Sequence, residues 1–330
     1  MFSLKEFNTF SLDVKAKDGI IVDDVKKLAQ IEDERLIILG TGSDVLFTDD
    51  FDGTVLINKL TSLDIKKDAF KAYVSVGSGF ILDKLIKNLL DNNIYGLENL
   101  SGVPGTVGAS PIQNVGAYGV EIGSFIDNVE IYDLEYKLIF NMSHDDLNFG
   151  YRHSYFKDNK DRKLFITKVD LKLDTAFNPR LNYNGLTNGV VSSAYDLREK
   201  IVSLRNLKLP DPKLVGNAGS FFKNPKVTQD KLDLMLKDIP DLPYFKEEGL
   251  YKIPAGFLID KAGCRGITHG NAGTWEGQAL VIVNRGNAKP LEIVALAKYI
   301  CTEVKSKFDI ELEPEVRIYG KQGELAWQDL

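Results

Sequence analysis

Residues 96–123 read GLENLSGVPGTVGASPIQNVGAYGVEIG and hold seven of the chain's 28 glycines. Glycine permits positive φ and close backbone approach. Consecutive free N–H groups in such a loop form an anion-binding nest. The chain has no lysine or arginine between Lys87 and Lys137. An anion can be held here by backbone N–H groups without lysine or arginine, and Ser43, Ser101, Thr106 and Ser110 are candidates to add hydroxyl donors. Pro104 and Pro111 stiffen the loop.

A second glycine stretch, ILGTGSDVLF, lies at 38–47. GTGSDV at 40–45 follows an apolar run, as the start of a dinucleotide fingerprint does. That fingerprint needs a third glycine and then a helix. Here Val45 replaces the glycine, and VLFTDDFDGTVLIN reads as strand and turn. A Rossmann site is therefore disfavoured. Alone, this loop reads equally as two tight turns with no ligand. With the longer loop it suits an extended dinucleotide lying across a domain.

The chain has 330 residues and a mass of 36.8 kDa. At about 150 residues per domain, that suggests roughly two domains. With 44% hydrophobic and 27% charged residues the composition is ordinary for a globular protein. Cys264 and Cys301 are too few for a disulfide scaffold, and His144, His153 and His269 show no metal-ligand spacing. The first residues, MFSLKEFNTFSLDVKA, contain no apolar core of a signal peptide. No run reaches the ~18–20 apolar residues of a membrane span. A reducing, cytoplasmic setting without membrane insertion is expected. Forty-one basic against 47 acidic side chains give a net charge of −6, which argues against a general nucleic-acid footprint. Between Arg198 and Lys226 the balance reverses, and LPDPK at 209–213 suggests a junction near 208–218.

Residues 36–39, 54–58, 73–76 and 279–283 read as buried strands, with a turn at Asp52-Gly53. Leu82, Leu85, Ile86, Leu89 and Leu90 have helical spacing. Residues 129–134 and 137–141 read as a hairpin, and 165–173 alternate like a half-buried strand. Ala194, Leu197, Ile201 and Leu204 line a helix that ends before Pro210, and Pro290 opens another. The alternation is irregular, so the class is α+β.

ILGTGSDVLF, the 96–121 loop, FGYRHS, LPDPK, GNAGSFFKNP, AGFLID and LEPEVR together resemble the UDP-N-acetylenolpyruvoylglucosamine reductase family, the branch with a tyrosine-bearing insertion. They run in order along nearly the whole chain. The resemblance implies an FAD-binding domain of the vanillyl-alcohol-oxidase (PCMH) type at 1–215, in lobes of 1–60 and 61–215, with 316–330 a candidate to return to it. It implies an α+β substrate-binding domain at 216–315. FAD is the implied cofactor and NADPH the implied hydride source. The implied reaction reduces the enolpyruvyl ether of UDP-N-acetylglucosamine, in peptidoglycan precursor synthesis. The first histidine is His144 and the first cysteine is Cys264, so both glycine loops lack a covalent tether and the FAD is expected to be non-covalent. A monomer is expected. The alternatives are a related FAD-dependent alcohol or lactone oxidase, and a nucleotide-sugar-binding protein without turnover.

The resemblance assigns the catalytic roles to Arg152 on the substrate carboxylate, Ser220 as proton donor and Glu315 as second acid. By residue type alone, the default readings are a surface ion pair on a turn, a helix N-cap or turn serine, and an exposed carboxylate near a strand. Cofactor contacts are expected from Gly40, Thr41, Gly42, Ser43, Asp44, Gly105, Gly108, Ser110, Asn114, Gly116, Ala117, Tyr118, Arg205 and Arg317. Substrate contacts are expected from Tyr183, Lys208, Asn224, Tyr244, Arg265 and Gln278. Asp44 stands where the family's first loop usually carries Asn. A carboxylate cannot donate as an amide does, so Asp44 facing a pyrophosphate would weaken its binding.

Overall fold

A computed structural model describes residues 1–183, 185–187, 190–247 and 249–330. Asn184 of LNYNGL and Glu248 of LPYFKEE lie outside the described residues. The chain forms two compact units. One comprises Met1–Lys17, Ser43–Asp52 and Asn206–Leu330, the other Asp18–Gly42 and Gly53–Arg205.

The unit containing the long glycine loop is built on a five-stranded antiparallel sheet. Its order is Leu138–Ser143, Ile126–Asp133, Leu164–Asp174, Lys71–Gly77 and Leu63–Lys67. Helix α1, Leu82–Asp91, buries Leu82, Leu85, Ile86, Leu89 and Leu90. The first four pack with Val74, Val76, Val129, Ile131, Val169 and Leu171 of the sheet. Each such side chain contributes about 1.5–3 kcal/mol of gross burial energy. The hairpin forms with Glu130 opposite Asn141.

The expected alternation over 165–173 holds only in part. Residues 164–167 are buried on both faces of the strand. Phe165 joins a second cluster with Val22, Leu28, Leu56 and Tyr132, while Ile166 faces the main core. Only a sheet covered on both sides can do this, and alternation cannot reveal it. The turn expected at Asp52-Gly53 is also corrected. Both residues belong to the strand Phe51–Asn58, and the chain bends at 48–49 instead. The Asp52 N–H is bonded to the Lys321 carbonyl at 2.9 Å, a partner remote in sequence.

The other unit holds a four-stranded antiparallel sheet ordered Gly216–Ser220, Gln278–Asn284, Ala272–Trp275 and Thr268–His269. Helix α5, Ala255–Lys261, and helix α6, Pro290–Phe308, pack against its strand Gln278–Asn284. Pro290 stands at the first turn of α6, where its missing N–H costs nothing. Val45–Phe47 pairs in parallel with Arg317–Gly320, so the stretch after the first glycine loop is strand and not helix. A small sheet orders Lys226–Val227, Leu250–Lys252 and Phe245–Glu247 beside Tyr244.

Candidate active site

The two glycine loops approach each other more closely than side chains would allow. A Cβ on Gly40 would lie 2.4 Å from Thr106 Oγ1; elsewhere the long loop packs on Ser78, whose Cβ would lie 2.4 Å from one on Gly108. Two hydroxyls in these loops, Thr41 Oγ1 and Ser101 Oγ, are buried without a hydrogen-bond partner. Orphaned buried hydroxyls are rare, because the lost hydration must be replaced. A diphosphate would supply the missing acceptors, so the loops fit FAD. Ser110 is different, since its hydroxyl donates to the Val107 carbonyl at 2.6 Å within its own loop. Sequence reasoning placed Ser101 only among general hydroxyl candidates, and its isolation became visible only in the fold.

The long loop is tied down from outside. Gly102, at φ +72°, donates its N–H to Asp83 at 2.6 Å, and its carbonyl accepts from Arg205 Nε at 3.2 Å. Asp83 is held in turn by both ends of the Arg198 fork, at 2.6 and 2.8 Å. Burial raises the Asp83 carboxyl, but Arg198 and the Gly102 N–H outweigh it and hold the group below the usual carboxylate range. Burial pushes the Arg205 guanidinium down. A nearby anion would reverse that shift, which suits the cofactor role expected of Arg205. Asn99 donates to the carbonyls of Tyr118 and Arg180 at 2.8 and 2.9 Å, which supports Tyr118 at φ +50°. The Tyr118 ring meets Tyr183 edge-on at 5.2 Å between centroids.

Arg152 lies at the third position of a tight turn closed by a Gly150–His153 bond pair of 3.1 and 3.2 Å. It adopts φ +51°, a conformation disfavoured for a residue with a Cβ. Its guanidinium donates to the Gly116 carbonyl at 3.2 Å and lies over the Tyr151 ring.

In the other unit, one irregular ladder places Ser220 and Glu315. Asn217 pairs with Val283, and Ser220 with Val281, which leaves one extra residue on the first strand. Gly219 takes φ +72° in this bulge, and its N–H donates to Asn217 Oδ1 at 2.9 Å. Bulges re-aim side chains in this way beside active sites. The next residue, Phe221, is fully buried and accepts the Glu315 N–H at 2.8 Å. Lys223 N–H bonds the Glu313 carbonyl at 2.9 Å. Ser220 and Glu315 thus flank one anchored backbone segment, and both are half-buried.

Asn224 Oδ1 accepts the Ala255 N–H at 2.9 Å at the start of α5. A Cβ on Gly256 would lie 2.4 Å from Gln278 Oε1, so Gln278 lies over the same helix turn. Arg265 is bidentate to Asp260 at 2.6 and 2.8 Å, so a substrate phosphate would compete with that carboxylate. Lys208 ends α3, Ala194–Lys208, as an exposed lysine. Tyr244 is 45% exposed and meets Tyr251 edge-on.

Asp44 belongs to a charge cluster. Arg317 donates to both Glu324 oxygens at 3.1 and 2.6 Å, and its backbone N–H bonds the Asp44 carbonyl at 3.1 Å. Burial opposes the Arg317 charge, but Tyr319, Glu324 and Asp44 hold the guanidinium above the usual arginine range. Burial pushes the Cys264 thiol up to about 11 and Cys301 up to about 12, so both are inert as nucleophiles. Among the described residues there is no cluster able to hold a metal ion, and no helix is long and apolar enough to cross a membrane.

Comparison with known proteins shows the family and the fold. Residues 13–135 match a family described as an FAD binding domain. Residues 211–319 match the C-terminal domain of UDP-N-acetylenolpyruvoylglucosamine reductase. The reductase of that name from Pectobacterium atrosepticum is 41% identical, covering 98% of this chain and 97% of its own. The one from Escherichia coli is 38% identical with the same coverage. The crystal structure of UDP-N-acetylenolpyruvylglucosamine reductase from Thermus caldophilus superposes with a TM-score of 0.70 at 23% identity. It covers 96% of this chain and 97% of that one, and shows the shared fold.

Proposed function

The chain belongs to the UDP-N-acetylenolpyruvoylglucosamine reductase family, and from that premise we propose how its residues carry the reaction. It is an FAD-dependent oxidoreductase that uses NADPH to reduce the enolpyruvyl ether of UDP-N-acetylglucosamine enolpyruvate, giving UDP-N-acetylmuramate for peptidoglycan synthesis. FAD, when bound, supplies the hydride that it takes from NADPH.

Hydride addition at one carbon leaves negative charge on its neighbour and on the attached carboxylate. That charge needs a cation or an acid beside it. Arg152 offers a planar fork of donors, the geometry that suits a carboxylate. Ser220 gives its hydroxyl proton to the charged carbon. A serine hydroxyl is a weak acid, but a carbanion is basic enough to take its proton. Glu315, on the chain segment bonded to Phe221, is the second acid at the developing enolate. The observation that supports this reading is the bulge at Gly219 just before Ser220, together with the bond from the Glu315 N–H to the carbonyl of the next residue, Phe221.

The remaining assignments belong to the same proposal. The FAD-binding domain is 1–215, joined by 316–330, and the substrate-binding domain is 216–315, with Arg152, Tyr183 and Lys208 as substrate contacts outside that second range. Lys208, Asn224, Tyr183, Tyr244, Arg265 and Gln278 serve the nucleotide sugar. The protein works as a cytoplasmic monomer with non-covalent FAD, and acid precipitation should release all its colour.

The deciding experiment is optical. The yellow protein should be bleached by NADPH without oxygen and recoloured by the enolpyruvyl sugar. An alcohol or lactone oxidase would be bleached by its own substrate and recoloured by oxygen. A binding protein would keep its colour throughout.

A further inference from the structure

Arg152 sits at φ +51°, a backbone conformation disfavoured for a residue with a Cβ, so its neighbours must hold it there. The contacts lead to Asn114. This residue lies in the long glycine loop at φ +47° and is 2% exposed. Its Nδ2 donates to Glu121 Oε2 at 2.8 Å and to the Gly150 carbonyl at 3.1 Å. Its Oδ1 accepts the Gly123 N–H at 2.9 Å. That last bond fixes which end of the amide is oxygen. An amide has two N–H donors, and both act inside the protein.

Each bond bears on Arg152. Gly150 opens the turn in which Arg152 is the third residue. Glu121 lies over Gly116, since a Cβ there would be 2.9 Å from Glu121 Cγ. The same Cβ would be 3.3 Å from Arg152 Nη1, and the Gly116 carbonyl accepts from Arg152 Nη2 at 3.2 Å. Gly123 is packed so closely that a Cβ would meet Asn114 Oδ1 at 2.7 Å and Phe149 at 2.8 Å. One side chain therefore fixes the start of the Arg152 turn and the carboxylate that shares its glycine floor.

We propose that Asn114 is a positioning residue for Arg152, acting through the Gly150 carbonyl and the Glu121–Gly116 floor, and that its side chain is not a ligand of the cofactor. The inference rests on the reading of Arg152 as the carboxylate-binding group.

The test is a double-mutant cycle on the FAD-loaded protein. Asn114→Gly removes the side chain while keeping positive φ accessible. Asn114→Asp keeps the shape but sets a second carboxylate against Glu121. Stopped-flow absorbance follows bleaching by NADPH and recolouring by the enolpyruvyl sugar separately, and fluorescence titration gives FAD affinity. Either variant should slow recolouring by about tenfold to hundredfold, the range expected of a small misplacement. Bleaching by NADPH and FAD affinity should stay within about twofold of wild type.

In an Arg152→Ala background, Asn114→Gly should add little, because there is no guanidinium left to place. Losses that multiply would overturn the inference while leaving the role of Arg152 standing. So would a fall in FAD affinity without slower recolouring. If Arg152→Ala recolours at the wild-type rate, the reading of Arg152 fails and this inference fails with it. If Asn114→Gly does not fold, Asn114→Asp decides the same comparison.

Discussion

The turn that carries Arg152 is closed by a Gly150–His153 backbone pair but is anchored to its surroundings by side-chain contacts. Asn114, Glu121 and the bare Gly116 fix a residue whose own backbone is strained. In the strand that carries Ser220, the anchoring contacts are backbone contacts. The register slip between Asn217 and Ser220 and the Phe221–Glu315 bond do the placing. The two regions therefore differ in how they should fail. A side-chain network loses accuracy when one member is shortened. A backbone ladder tolerates loss of the Ser220 hydroxyl structurally, so that loss removes chemistry without moving anything else.

Ser220→Ala is the largest expected break. It should leave bleaching by NADPH near normal and slow recolouring by about 10²–10⁴-fold, or roughly 3–5 kcal/mol in barrier. Ser220→Cys should recover part of this, since a thiol can also donate. Wild-type recolouring in Ser220→Ala, read by stopped flow, would transfer the proton to Glu315.

Gly116→Ala tests the other side. Its Cβ would stand 2.9 Å from Glu121 Cγ and 3.3 Å from Arg152 Nη1, so the guanidinium must shift. Recolouring should slow by about tenfold to hundredfold. Equal slowing of both half-reactions would mean that the floor serves the whole loop and not Arg152.

Asp83→Asn loosens the loop at Gly102 and should cost about 2 kcal/mol, as for a hydrogen bond to a charged group. The folded-state carboxyl of Asp83 titrates below its ordinary value. Its stabilisation is therefore complete above about pH 4 and is lost as pH falls through the folded value. Wild type and Asp83→Asn should converge in acid in urea titrations. A gap that persists unchanged would deny the charge a role.

Asp44→Asn should be the smallest effect. Read from sequence, a carboxylate facing a pyrophosphate weakens its binding. The fold gives Asp44 a counter-charge in Arg317. Losing it should cost about 0–1 kcal/mol of stability, seen as a small drop in melting temperature. FAD affinity should change by less than tenfold. A larger fall would place Asp44 in the cofactor site itself.

The helical spacing of Leu82 to Leu90 was legible because its partners lie within one turn of one another. So were Pro290 at the first turn of α6 and the strand at Leu36–Leu39. The glycine content of 96–123 already marked a loop of close backbone approach. What could not be read was anything set by contacts distant in sequence. The strand entry at Phe51 is bound up with Lys321, and the two-sided burial of Phe165 and Ile166 depends on two clusters. The isolation of Ser101 and the partners of Asn114 belong to the same class. The sequence by itself determined the local elements, the glycine loops and the chemical types of the functional side chains. Only the tertiary structure decided which donors are already engaged. Hydrogen-bond partners are chosen by proximity in space, and along this chain the ones that matter lie many residues apart.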